Sequence, residues 1–158
     1  MLKAHGVGTL VDVRTVPRSR HNPQFEQVAL SKSLAAAGIV YRHMPALGGL
    51  RHPRPDSVNT GWRNKSFRGY ADYMQTPAFI AALDELLALS HHAHTAVMCA
   101  EAVPWRCHRS LIADALTVRN VPVEHIMSAA VRNPHRLTPL AEVNAYRLTY
   151  PAKGPTLF

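Results

Sequence analysis

Thr9-Leu-Val-Asp-Val13 is a nearly continuous apolar run with β-branched residues. Such a run predicts a short strand covered on both faces, as in a parallel sheet. Asp12 interrupts it, and a carboxylate inside a buried strand needs a partner. Downstream, Arg14 to His21 is polar and contains Pro17, which predicts a loop. Asn22 suits a helix cap and Pro23 the first turn, where a missing N–H costs little. Leu30, Leu34 and Ala37 share one helical face, and Gly38 suits a left-handed helix end. Ile39 to Met44 then reads as a second strand.

The alternation continues along the chain. Thr76 caps a helix with Pro77 at its first position, and Ile80, Leu83 and Leu87 mark the expected buried face. His91 to His94 is a polar connection. Thr95 to Cys99 is the third strand, about Trp105 to Val118 a helix, and Val121 to Met127 the fourth strand. The tail, about 129–158, is expected to be irregular, with one short strand at Tyr146 to Tyr150. Together these elements predict a single α/β domain over 1–158. It has three layers, with helices on both faces of a mainly parallel sheet of about four strands. Ligands of such sheets bind at the carboxyl edge of the strands. Arg14, His43 and Cys99 all fall there.

The 158 residues suit one main core. No stretch approaches the roughly 20 consecutive apolar residues of a bilayer span, so no membrane partner is expected. No secretory leader is visible. Two cysteines give no disulfide framework, which makes a reducing, cytoplasmic setting the expectation. The formal net charge of +8 favours an anionic ligand, a nucleotide or a nucleic acid.

The chemistry concentrates in Ala96-Val-Met-Cys-Ala-Glu-Ala-Val-Pro-Trp-Arg-Cys-His-Arg-Ser110, which holds both cysteines. Cys99, Glu101, Cys107 and His108 are the catalytic candidates. Cys107, in the expected first helical turn beside His108 and between arginines, favours thiolate over thiol. Either cysteine suits a nucleophile with His108 as base or orienter, and Glu101 suits a general base. The competing reading is that the cysteines pack as small hydrophobes. Arg14, Arg18, Arg20, Arg106 and Arg109 are the anion-binding candidates, gathered where a helix N-terminus attracts negative charge. Against this, Arg109 is equally suited to brace the turn internally. No metal and no cofactor are expected. The spacing matches no common zinc pattern, and adjacent Cys107 and His108 on a helix would point about 100° apart. The long segment Pro45 to Gly69 ends in Trp62, Arg63, Phe67 and, just beyond, Tyr70. These four residues are candidates for a lid or a base-stacking surface. Aromatics plugging the core beneath solvated arginines would leave the same composition.

Leu10-Val-Asp-Val-Arg14, Pro17-Arg-Ser-Arg-His-Asn-Pro-Gln-Phe25, Leu47-Gly-Gly49, Tyr70-Ala-Asp-Tyr-Met74 and Met98-Cys-Ala-Glu101 with Cys107-His-Arg109 resemble the bacterial family called domain of unknown function 488. The resemblance runs from Leu10 through His125 and implies kinship without an activity. Members of that family usually begin with another strand bearing a Thr-Ile-Gly-His-Ser-like motif, followed by a helix. Met1-Leu-Lys-Ala-His-Gly6 is similar to the end of that helix. The resemblance therefore implies either a misassigned start or the loss of a first strand together with a site histidine, and an open sheet edge that favours a homodimer. A weaker similarity to rhodanese-like and cysteine-phosphatase folds is opposed by the longer separation of Cys99 and Arg109. Three functions follow as expectations. The first is an enzyme acting on a phosphate-bearing or nucleic-acid ligand. The others are a non-catalytic nucleic-acid-binding module and a cysteine-dependent sulfur or phosphoryl transfer enzyme.

Overall fold

In a computed structural model describing residues 1–152, β1 (Thr9–Asp12) is the middle strand of a parallel sheet. It lies between β2 (Val40–His43) and β3 (Thr95–Met98). Thr9 is level with Val40 and Thr95, and Asp12 with His43 and Met98. All four β1 residues are buried, as the unbroken apolar run requires. Strand alternation sends Leu10 to one face, where it meets Leu30, Leu34 and Ile39. Val11 and Val13 go to the other face, into a larger cluster with Tyr70, Phe79, Leu83, Leu111 and Ile112. Leu30 and Leu34 belong to α1 (Gln27–Ala36). The larger cluster draws on α2 (Lys65–Tyr73), α3 (Pro77–His92) and α4 (Arg109–Thr117). The result is an α/β arrangement with helices against both faces of a parallel sheet.

The parallel sheet has three strands, fewer than the four expected. Of Val121 to Met127, only Glu124–Ile126 is extended, as β4. It pairs antiparallel with β5 (Arg132–Pro134) in a separate hairpin. A central strand needs apolar side chains on both faces, and Glu124-His-Ile126 offers one apolar residue. A cleft of about 540 Å³, lined by Thr95, Val97, His125 and Ile126 among others, lies between β3 and β4. Among the described residues β3 is therefore paired on one side only.

The tail is not irregular throughout. β6 (Glu142–Asn144) and β7 (Arg147–Thr149) form a hairpin, and β7 falls inside the strand expected at Tyr146 to Tyr150. Leu148 and Tyr150 reach the main core. The last residues of the expected tail, 153–158, lie outside the described residues.

Local signals account for the helix ends. The Thr76 hydroxyl accepts the Phe79 N–H at 3.3 Å, as a cap should. Gly38 adopts φ +74°, the left-handed end expected of it. The inward face of α3 is Phe79, Ala82, Leu83 and Leu86, while Ile80 is exposed, so the expected face was turned by about one residue. α2 shortens the long loop because Asn64 accepts the N–H groups of Ser66 and Phe67. Gly69 inside α2 obscured that helix. A Cβ there would lie 2.5 Å from the Arg51 carbonyl, so glycine allows the loop to press against the helix. No helix among the described residues is long and apolar enough to cross a membrane.

Candidate functional site

The carboxyl edge of β1 carries a buried ion pair. Arg14 Nε donates to both carboxylate oxygens of Asp12, at 2.9 and 3.0 Å, and Nη2 donates to Oδ2 at 2.5 Å. The side chains are 6% and 0% exposed. Tyr41 from β2 donates its hydroxyl to Asp12 at 2.8 Å. His43 Nε2 lies 2.8 Å from the Arg14 carbonyl. Burial alone would raise the Asp12 pKa, but hydrogen bonds from Arg14 and Tyr41 outweigh it and hold the carboxyl below its usual range. Burial and the Asp12 carboxylate push the Tyr41 hydroxyl up, which keeps it a donor.

The end of β3 leads through Cys99 to the Pro104–Arg106 3-10 turn and then to α4. The helix begins at Arg109 rather than at Trp105. Cys107 is extended, with φ −130° and ψ 146°, and His108 is the helix cap. Cys107 is therefore outside the first helical turn, where it had been expected. Its Sγ lies 3.6 Å from His108 Nδ1 and receives the backbone N–H and the Nε–H of Arg109 at 3.5 and 3.4 Å. The ligand atoms of Cys99, Cys107 and His108 all fall within 4.8 Å of one another. The Glu101 N–H donates to Cys99 Sγ at 3.3 Å.

The two thiols have opposite tendencies. The neighbouring Cys99 sulfur favours the thiolate at Cys107, and that influence outweighs burial. Together with His108 and the Arg109 N–H, it holds Cys107 well below the ordinary thiol range. The same proximity, added to burial, pushes Cys99 up. Of the two sulfurs, Cys107 is the one whose surroundings favour the thiolate. Cys107 is buried at 4% exposure, and Cys99 is half-buried.

Residues 1–116 match the family model described as Domain of unknown function DUF488. The chain belongs to this family. The matched span holds the Asp12–Arg14 pair and the whole thiol cluster, and it ends inside α4. No curated protein and no solved structure matches the chain.

The Leu47-Gly-Gly49 stretch quoted for the DUF488 resemblance has a steric role in this site. A Cβ at Gly49 would lie 2.5 Å from His108 Nδ1, so the ring occupies the space a side chain would need. Tyr70 packs on the other side, with ring centroids 4.9 Å apart. Among the described residues buried His108 Nε2 has no hydrogen-bond partner, and Nδ1 is the nitrogen that faces Cys107. Gly49→Ala is expected to push the ring off Cys107 and destabilise the fold by about 1–3 kcal/mol. Thermal denaturation and ultraviolet thiolate titration check this, the thiolate transition moving towards higher pH.

The remaining candidates divide between this site and other places. Arg109 braces the turn, its guanidinium donating to the carbonyls of Glu101 and Ala102 as well as to Cys107. Arg14 is committed to Asp12. Arg18, Arg20 and Arg106 are exposed and make no ion pair among the described residues. Glu101 is exposed, and its carboxylate accepts the Val103 N–H at 3.4 Å rather than meeting the thiols. Trp62 stacks on Phe67 at 4.7 Å and tilts against Tyr150 at 5.8 Å. Tyr70 is fully buried and donates to the Leu47 carbonyl. These aromatics pack with the core, while Arg63 alone of that group is exposed.

One polar chain was missed. His125 Nε2 lies 2.9 Å from His135 Nδ1, and His135 Nε2 lies 2.8 Å from Asp114. Asp114 is fully buried and also accepts the Tyr150 hydroxyl and the Thr138 N–H, both at 2.9 Å. This ties α4 to the tail. Its signal was available, since Asp114 interrupts the apolar run Leu111 to Leu116 and a buried carboxylate demands partners.

Proposed function

We propose that this chain is a cysteine-dependent sulfur-transfer enzyme in which Cys107 is the nucleophile. The observation that carries the reading is the pair of donors around Cys107 Sγ, the Arg109 Nε–H and the Arg109 N–H, with His108 and Cys99 beside them. Donors aimed at one sulfur favour thiolate, the form that attacks. The fixed guanidiniums of Arg14 and Arg109 are occupied by Asp12 and by loop carbonyls. A transferring phosphoryl group would need free cationic donors at the nucleophile, so sulfur is the better substrate for this arrangement.

The chemistry balances without an oxidant. The Cys107 thiolate attacks the terminal sulfur of a sulfane donor, R–S–SH. A bond from Cys107 to that sulfur forms, the S–S bond of the donor breaks, and RS⁻ leaves with the electron pair. A thiolate of an acceptor molecule then attacks the terminal sulfur of the Cys107 persulfide and regenerates the Cys107 thiolate. Cys107 is buried at 4% exposure, and Arg109 also holds the Glu101 and Ala102 carbonyls, so access to the sulfur requires local opening of the turn.

The test is an ultraviolet titration of thiolate absorbance in the reduced wild type, Cys99→Ser and Cys107→Ser. The wild type is expected to keep one thiolate well below neutrality, within the roughly 3.5–7.5 range of activated cysteines. Cys107→Ser is expected to lose it. Two thiols titrating near about 8.5 would end the reading. A nucleic-acid-binding surface is the second reading, supported by the exposed Arg18, Arg20, Arg63 and Arg106, which make no ion pair among the described residues. It requires affinity that falls steeply with salt.

A further inference from the structure

We infer that Cys99, Cys107 and His108 bind one thiophilic d10 cation of the zinc class, through the two Sγ atoms and a ring nitrogen. This goes beyond sulfur transfer, because ion binding needs only the three donors and stands whether or not Cys107 attacks a substrate.

The geometry is close to what such an ion requires. Zinc bonds sulfur at about 2.3 Å and imidazole nitrogen at about 2.0–2.1 Å, which in a tetrahedron sets sulfur and nitrogen about 3.6 Å apart. Cys107 Sγ and His108 Nδ1 stand 3.6 Å apart. The donors lie within 4.8 Å of one another. A tetrahedral sulfur–sulfur edge is about 3.8 Å and a sulfur–nitrogen edge about 3.6 Å, so closing the set needs a movement of at most about 1.2 Å. Cys99 is the half-buried member at the end of an edge strand, and it is the one free to make that adjustment.

The helical spacing argument against a metal does not apply to the folded chain. Cys107 is extended, His108 has φ −56° and ψ −14°, and α4 starts only at Arg109. The two neighbours straddle the helix start, so their donors face one point instead of diverging around a helix. Three protein ligands leave a fourth position open, as in sites that exchange a water or a thiolate. The Arg109 N–H groups already reach Cys107 Sγ and would remain as outer hydrogen bonds to a bound thiolate. An ion held here occupies the lone pair of the nucleophile, so ion binding and sulfur transfer exclude each other.

The experiment titrates the reduced protein with Cd²⁺ and follows the thiolate-to-cadmium charge-transfer band in the ultraviolet. Saturation at one ion per chain is expected, with the band lost on adding excess Zn²⁺. Cys107→Ser is expected to abolish the band and Cys99→Ser to weaken binding. His108→Ala should weaken it by at least about tenfold. A His91→Ala, His92→Ala control at the exposed end of α3 should bind as the wild type does. If Cys107→Ser does not fold, Cys99→Ser carries the test. No band at stoichiometric Cd²⁺, or an undiminished band in Cys99→Ser, overturns the inference. A cadmium band with ordinary thiol pKa values would sink sulfur transfer and leave the ion site standing. A depressed thiol without a band would do the reverse.

Discussion

Arg14→Ala is expected to destabilise the protein by about 3–5 kcal/mol, because it strips a buried carboxylate of its charged partner. Asp12 is fully buried and Arg14 is 6% exposed, so solvent screens the pair very little. Tyr41 would be left as the one side-chain donor to Asp12. For a domain of this size, about 2–4 °C per kcal/mol translates the loss into a fall in Tm of about 10 °C. The pH dependence has a definite sign. The Asp12 pKa is held down in the folded state, so its contribution is present above the unfolded value of 3.8 and is lost as the pH falls through the folded value. The gap between wild type and Arg14→Ala should therefore be full at neutral pH and narrow below about pH 4. Urea denaturation at both pH values checks this. A loss of less than about 1 kcal/mol would mean that the pair behaves like an exposed ion pair.

Cys107→Ser is expected to lower the rate of sulfur uptake from an inorganic polysulfide by about 10³-fold or more, as removal of a nucleophile does. Mass spectrometry of the reduced protein after exposure should place the added sulfur on Cys107 and show none in the variant. Cys99→Ser leaves the Arg109 donors and His108 around Cys107 in place and should retain most of the uptake. Sulfur found on Cys99 alone, or uptake unchanged in Cys107→Ser, would reassign the nucleophile. The expectation rests on position as much as on type. Both cysteines are one kind of residue, yet only Cys107 receives the Arg109 Nε–H.

Membership in the DUF488 family gives no reaction, so the site has to be argued from its own atoms. What distinguishes it from an ordinary pair of free cysteines is that a long loop, a 3-10 turn and a helix cap return the chain to the end of β3. Gly49 makes the space that seats His108 against Cys107. Replacing that glycine tests whether the seating matters, independently of either thiol.

Much of the fold was legible from local pattern. Thr9 to Val13, with its unbroken β-branched run, could only be a strand buried on two faces, and it is the middle strand of the parallel sheet. Thr76-Pro77 and Gly38 announced helix ends through backbone chemistry that needs no tertiary context. The density of Cys, His and Arg between Cys99 and Arg109 marked the segment that gathers both thiols and the His108 ring within 4.8 Å. Other features were set by long-range contacts that adjacent residues do not encode. Glu124 to Ile126 left the main sheet for a hairpin with Arg132 to Pro134, a pairing that neither segment's own composition specifies. Arg14 and Arg109 were drawn from a supposed anion pocket into bonds with Asp12 and with the Glu101 and Ala102 carbonyls, because a nearby buried acceptor outcompetes a distant ligand. Trp62, Phe67 and Tyr70 became packing for the same reason of burial. The opposite tendencies of two chemically identical thiols arise only when the folded chain places Arg109, His108 and Cys99 around one sulfur, since a pKa follows from the surrounding field and not from residue type.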